Sequence, residues 1–186
     1  MRLSKIPPVL ATILGAAALA GCGSSGGSSG VSAKTYVTAI CNAVAPFEKD
    51  VVARSSALDL TTVKGPAQGK VALQSFLTAI SGDTDAAVTK LKGAGTPNVK
   101  NGKQIATAIV GAFTQLSTAM HTAVRESKSL STTNATAFRS GATKLGNDVR
   151  SSMSNIGSSL QSNTLKSSDL QKAAASASAC KSLGSA

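Results

Sequence analysis

The sequence predicts an all-α protein, most simply an up-down four-helix bundle with an additional short C-terminal helix tied to the first helix. Three observations carry this. Four long segments space their large apolar residues at steps of three, four or seven, which keeps them on one helical face. No segment sustains the period-two alternation of a half-buried strand. Two cysteines, Cys41 and Cys180, stand on the first and last helical segments.

The first segment runs from about Ser32 to Leu58, with Val37, Ile40, Val44, Phe47, Val51 and Leu58 as its stripe. Pro46 lies inside it and is expected to kink or interrupt it, because proline removes one backbone donor and crowds the preceding turn. The second runs from about Pro66 to Leu91, with Leu73, Phe76, Leu77, Ile80, Val88 and Leu91 on one side. Pro66 suits a first helical turn. Ser81-Gly82-Asp83 is a weak point at which this helix can divide, and Asp83 and Asp85 are then best read as caps at the break, with a weak cation contact as the alternative. Gly93 to Asn98 reads as a loop, since glycine follows the last periodic residue and Pro97 comes soon after.

The third segment, from about Gly102 to Leu130, is the most regular, with Ile105, Ile109, Phe113, Leu116, Met120 and Val124 in register. The fourth opens at Asn134, a good N-cap, and continues through Phe138, Leu145, Val149, Met153, Ile156 and Leu160. A shorter fifth segment starts near Asp169, another plausible cap, and carries Leu170, Ala173, Ala177 and Cys180. Alanine, serine and threonine fill the places between the large residues. They allow close helix approach but bury little apolar surface each.

The N-terminus has a different organisation. Arg2 and Lys5 precede a short apolar run from Ile6 to Ala20, the layout of an export signal. The run is shorter than the roughly 20 apolar residues of a permanent span, and Pro7 and Pro8 interrupt it. It closes on Leu19-Ala20-Gly21-Cys22, which resembles the lipobox of bacterial lipoproteins at all four positions. The resemblance implies that residues 1–21 are a signal peptide removed before Cys22, and that the Cys22 thiol carries a diacylglyceryl group. Two acyl chains anchor stably where one binds only marginally. The expected location is therefore the extracytoplasmic face of the cell membrane, held by lipid. Gly23 to Gly30 reads GSSGGSSG, so residues 22–30 form the lipidated cysteine and a flexible tether, with a root-mean-square reach of roughly 15 Å. Residues 31–186 are then one helical domain.

Removing residues 1–21 from the 186 leaves 165, enough for one domain with a real core. The formal charge falls from +11 to +9 as Arg2 and Lys5 leave. With no Trp, one Tyr and four Phe, the chain lacks a stacking surface for single-stranded nucleic acid. Nucleic acid is not expected as a partner. Excess positive charge outside the cell suits anionic lipid headgroups or wall polymers, and it also serves solubility.

Export places Cys41 and Cys180 in an oxidising setting. Once lipid consumes Cys22, a single intramolecular pairing remains; the alternative is two buried free thiols. Cys41 lies about 14 Å along the first helix, and Cys180 about 16 Å along the last. If the last helix turns back beside the first, the two meet at similar height.

Tyr36-Val37-Thr38-Ala39-Ile40-Cys41, Thr96-Pro97-Asn98-Val99-Lys100-Asn101-Gly102 and Ala179-Cys180-Lys181 together are similar to small secreted lipoproteins of actinobacteria, a family without assigned activity. The similarity covers residues 31–183. It implies export and the Cys41–Cys180 pair, and no chemistry.

Chemistry is sparsely provided. His121 is the one histidine, which excludes paired-histidine zinc sites. A haem held by Met and His could in principle use His121 with Met153; His121 is better placed at the rim of the core stripe beside Met120. A serine nucleophile needs a positioned base, and His121 has no evident orienting acid, since Glu126 lies five residues on. Glu48, Asp50 and Asp59 are the acids of the first segment. No metal, cofactor or enzymatic activity is expected. The expected function is a membrane-anchored, non-enzymatic helical module binding a protein partner or an anionic envelope component. The alternative is a carrier of a small apolar ligand between bundle helices.

Overall fold

A computed structural model describes residues 30–58, 64–160, 167–181 and 183. The signal segment, Cys22, the tether as far as residue 29, and Asp59 lie outside the described residues. The described chain is all-helical: α1 (Ala33–Ala57), α2 (Pro66–Gly93), α3 (Gly102–Ser127), α4 (Ala135–Leu160) and α5 (Ser168–Ser176), followed by a 3-10 turn at Ser178–Cys180. One isolated bridge joins Val31 to Pro97.

Side-chain caps mark three helix starts. Ser32 accepts from the Thr35 amide at 3.1 Å, and Asn134 Oδ1 accepts from the Ala137 amide at 2.9 Å. At α5 the cap is Ser167, whose hydroxyl accepts from the Leu170 amide; Asp169 lies inside the first turn instead. Both places suit their residues, because hydroxyls satisfy orphan amides and a carboxylate favours the positive helix end.

Neither Pro46 nor Gly82 divides its helix. α1 runs unbroken through Pro46. The ring costs the helix the bond to the carbonyl of Asn42, and both residues lie on the exposed side, where water can solvate that oxygen. Val44 and Phe47, buried on the opposite side, hold the flanking turns. α2 likewise runs unbroken through Gly82, so Asp83 and Asp85 are mid-helix residues and not caps. Glycine costs about 1 kcal/mol relative to alanine in a helix interior. Burial of Ile80, Thr84, Ala87 and Val88 around it outweighs that.

Successive helices pack on one another: α1 on α2, α2 on α3, α3 on α4, with a lighter contact of α4 on α2. Between α2 and α3, residue numbers rise on one helix as they fall on the other. Lys70 reaches the carbonyls of Lys128 and Leu130, Ser81 meets His121, and Asp85 meets Ser117. This is the register of antiparallel neighbours. The Lys70 amine also places positive charge at the C-terminal end of α3, where it complements the macrodipole.

The principal core draws Phe47 from α1, Leu73, Leu77, Ile80 and Ala87 from α2, Leu116, Met120 and Ala123 from α3, and Phe138 and Leu145 from α4, closed by Leu130. Phe47 and Phe113 meet edge to face at 6.1 Å. Buried hydroxyls are satisfied locally: Thr84 donates to the Ile80 carbonyl and Ser127 to that of Val124, each at 2.7 Å. Met153, read as part of the α4 stripe, is exposed. Tyr36, absent from the periodic stripe, is 2% exposed and anchors a separate cluster with Ala94 and Ile105.

α5 and the 3-10 turn lie on α1. Ala173 and Ala177 bury against Val37 and Cys41. Gly30, read from the sequence as the last residue of the tether, is packed. A side chain at Gly30 would come within 2.8 Å of the Thr96 carbonyl oxygen, so the last glycine of the GSSGGSSG run is packed against the α2–α3 loop.

Candidate functional site

Of the three cysteines, the structure brings two together. Cys41 and Cys180, 139 residues apart, reach disulfide distance with their α-carbons 5.1 Å apart. Cys41 is carried by the buried side of α1 and Cys180 by the 3-10 turn that continues α5. Helical periodicity in α1 and the turn after Ala177 therefore set the meeting point.

A second constellation was not legible in the sequence. His121 on α3 faces two residues one turn apart on α2. Its Nε2 lies 3.0 Å from an Asp85 carboxylate oxygen, and its Nδ1 lies 3.3 Å from Ser81 Oγ. Ser117 Oγ donates to the same carboxylate at 2.6 Å. His121 thus has an acid beside it, Asp85, contrary to the sequence expectation. The acid comes from a neighbouring helix, where sequence proximity gives no sign of it.

Serine, histidine and aspartate in contact invite comparison with a nucleophile, base and orienter. Two features oppose that use. Ser81 is 4% exposed and lies within the α2–α3 contact, where a substrate carbonyl has no approach. Ser81 and Asp85 also sit in the middle of α2, and the mid-helix amides are engaged in the helix itself, leaving no backbone donors for an oxyanion. The arrangement is a polar clamp across the helix contact: the imidazole spans Ser81 and Asp85, one helical turn apart on α2. Arg54 reaches Asp83 at 3.3 Å between α1 and α2.

Between α3 and α4 runs an open groove of about 460 Å³. Ala119, Ala123, Val149 and Ile156 form its floor, and Glu126 and Asp148 stand among its polar lining. Lys144 holds Asp148 at 2.6 Å, and this hydrogen bond, with the attraction between the charges, raises the Lys144 pKa above its ordinary value. Small residues on α3 leave the groove; their side chains are too short to fill the space between the helices.

Among the described residues, no group of three His, Cys, Asp or Glu side chains is placed to hold a metal ion. Among the same residues, no helix is long and apolar enough to cross a membrane. Compared with known protein families, curated proteins and solved structures, the chain matches none.

Proposed function

We propose that this chain is an exported lipoprotein, processed before Cys22 and anchored by lipid to the extracytoplasmic face of the cell membrane. Its folded part is an up-down four-helix bundle with a short C-terminal helix tied to α1. It serves as a non-enzymatic module that binds a protein partner or an anionic envelope component. The small secreted lipoproteins of actinobacteria are the family it is taken to resemble.

The observation that carries the reading is Leu19-Ala20-Gly21-Cys22 at the end of a charged-then-apolar leader. Supporting it, residues 23–29 are all Gly or Ser, the composition of a flexible spacer. The clamp geometry of Ser81, His121 and Asp85 favours a binding role over catalysis. The α3–α4 groove is open to solvent, which favours an interaction surface over a closed chamber for an apolar ligand.

The anchor is tested by intact mass and fractionation. Protein extracted from membranes is expected to begin at Cys22 and to carry a diacylglyceryl mass, and Cys22→Ala is expected to leave the membrane fraction. A Cys22→Ala chain that fractionates with membranes as the wild type does refutes the anchor. Crosslinking in native membranes, followed by mass spectrometry of captured proteins and lipids, identifies what the module binds.

A further inference from the structure

The chain enters its folded part at one end of the helices. Val31 donates to the Thr96 carbonyl and accepts from the Asn98 amide, each at 2.8 Å, so the entry point is tied to the α2–α3 loop. Around it stand the first turn of α1, the last turn of α2 and the first turn of α3. Each contributes lysine. Lys34, Lys90, Lys92, Lys100 and Lys103 are all exposed, and residues 30–36 and 88–104 contain no Asp or Glu. Among the described residues, no ion pair involves any of the five. The start of α5 reaches the same end through Leu170, and its Asp169 and Lys172 offset each other.

For α1 and α3 the distribution runs against what helix stability favours. Both present their N-termini here, the positive ends of their dipoles, where acidic residues stabilise and lysines do not. Neither helix has an acid in its first turn, and Lys34 and Lys103 lie there instead. Lys90 and Lys92 complement the negative C-terminal end of α2, which meets the same face. The net charge of the face therefore comes from its five lysines, with no acid among residues 30–36 and 88–104 to offset them. Elsewhere on the surface, Arg54 and Lys144 are paired with Asp83 and Asp148.

We infer that this lysine face is the membrane-contacting surface of the protein and that it binds the anionic lipid headgroups of the bilayer holding the Cys22 anchor. The inference rests on the lipoprotein reading above. Tether length decides which end can be used. The Gly/Ser spacer has a root-mean-square reach of roughly 15 Å, whereas the 28 residues of α2 span about 42 Å. The entry end stays close to the headgroups. Lys64, Lys70 and Lys128 at the opposite end stand several screening lengths away, the screening length being about 10 Å at 0.1 M salt. Each lysine near an anionic surface strengthens binding about fivefold.

The test is amine-reactive footprinting of the processed lipoprotein, read by mass spectrometry, on vesicles of equal parts phosphatidylglycerol and phosphatidylcholine and on phosphatidylcholine alone. On the anionic vesicles at low salt, Lys34, Lys90, Lys92, Lys100 and Lys103 are expected to lose at least threefold in labelling relative to Lys64, Lys70 and Lys128. High salt or zwitterionic vesicles should erase the difference. In K90E/K92E/K100E/K103E, whose helicity is checked in parallel, the remaining Lys34 should lose its protection relative to Lys64, Lys70 and Lys128. Equal labelling of the two sets on anionic vesicles overturns the inference. So does protection that appears in native envelopes and not on lipid vesicles, which assigns the face to a protein or wall polymer. Failure of the lipoprotein reading is seen separately, as a chain whose intact mass lacks the diacylglyceryl group.

Discussion

Reducing the Cys41–Cys180 bond should release the C-terminal segment while leaving the four long helices folded. The bond closes a loop of 139 residues in sequence. The chain-entropy argument gives about 5 kcal/mol of stabilisation for a loop of that size, as an upper figure. That full figure requires the segment to stay docked after reduction, and the packing argues that it does not. α5 has nine residues, below the roughly 12–15 at which an isolated helix becomes marginally stable. It buries Ala173 and Ala177 and only part of Leu170, and no residue of α5 enters the principal core. Detachment lowers the free energy of the reduced native state, so the measured loss falls below the full value, at roughly 3 kcal/mol. Urea unfolding with and without reductant gives that number. Amide exchange of Ser168–Ser176, followed by mass spectrometry, shows where the loss lies. Retained protection of α5 in the reduced protein, with a loss near 5 kcal/mol, refutes the detachment argument. Complete alkylation without reductant shows that no bond was present.

Two glycines should respond in opposite directions to alanine. A side chain at Gly82 meets open space inside an unbroken helix, so Gly82→Ala should stabilise by about 1 kcal/mol, seen as a rise of about 2–4 °C in Tm. A side chain at Gly102 overlaps the buried Pro97 carbonyl, so Gly102→Ala should destabilise by about 1–3 kcal/mol in the same melts. Tyr36, the one tyrosine, has its pKa pushed up from 10.0 to about 12 by burial. The folded state therefore holds its proton longer than the unfolded chain, so its contribution is intact below pH 10 and falls by roughly 3 kcal/mol as pH rises to about 12. Phenolate absorbance, which reports this residue alone, should show the midpoint near 12 in the folded protein and near 10 in urea. Met120, 3% exposed at the centre of the core, should cost about 2–5 kcal/mol when truncated to alanine, measured by urea unfolding with m unchanged.

Local periodicity is enough to place the helices and most of the faces they bury. Val37, Val44 and Phe47 on α1, Leu73, Leu77 and Ile80 on α2, and Ile105, Leu116 and Met120 on α3 are periodic, and the structure buries all of them. The Asn134 cap was equally legible, because capping is a contact between residues three apart. Such features are local, and chain order encodes them directly. The pair Cys41 and Cys180 was readable for a different reason: after Cys22 is set aside, only one combination is left.

Packing between helices settles the rest, where local preferences compete with burial and where residues distant in sequence meet. Pro46 and Gly82 each weaken a helix locally, and burial of neighbouring residues decides that both helices continue. Met153 fits the α4 stripe by spacing and yet is exposed, because its helix packs chiefly on α3 and has no second layer over that position. His121 gains Asp85 and Ser81 only through the register of α3 on α2, across 36 and 40 residues of sequence. The lysines at 34, 90, 92, 100 and 103 read in sequence as scattered surface charge. The antiparallel packing gathers them around Val31, where the chain leaves for Cys22.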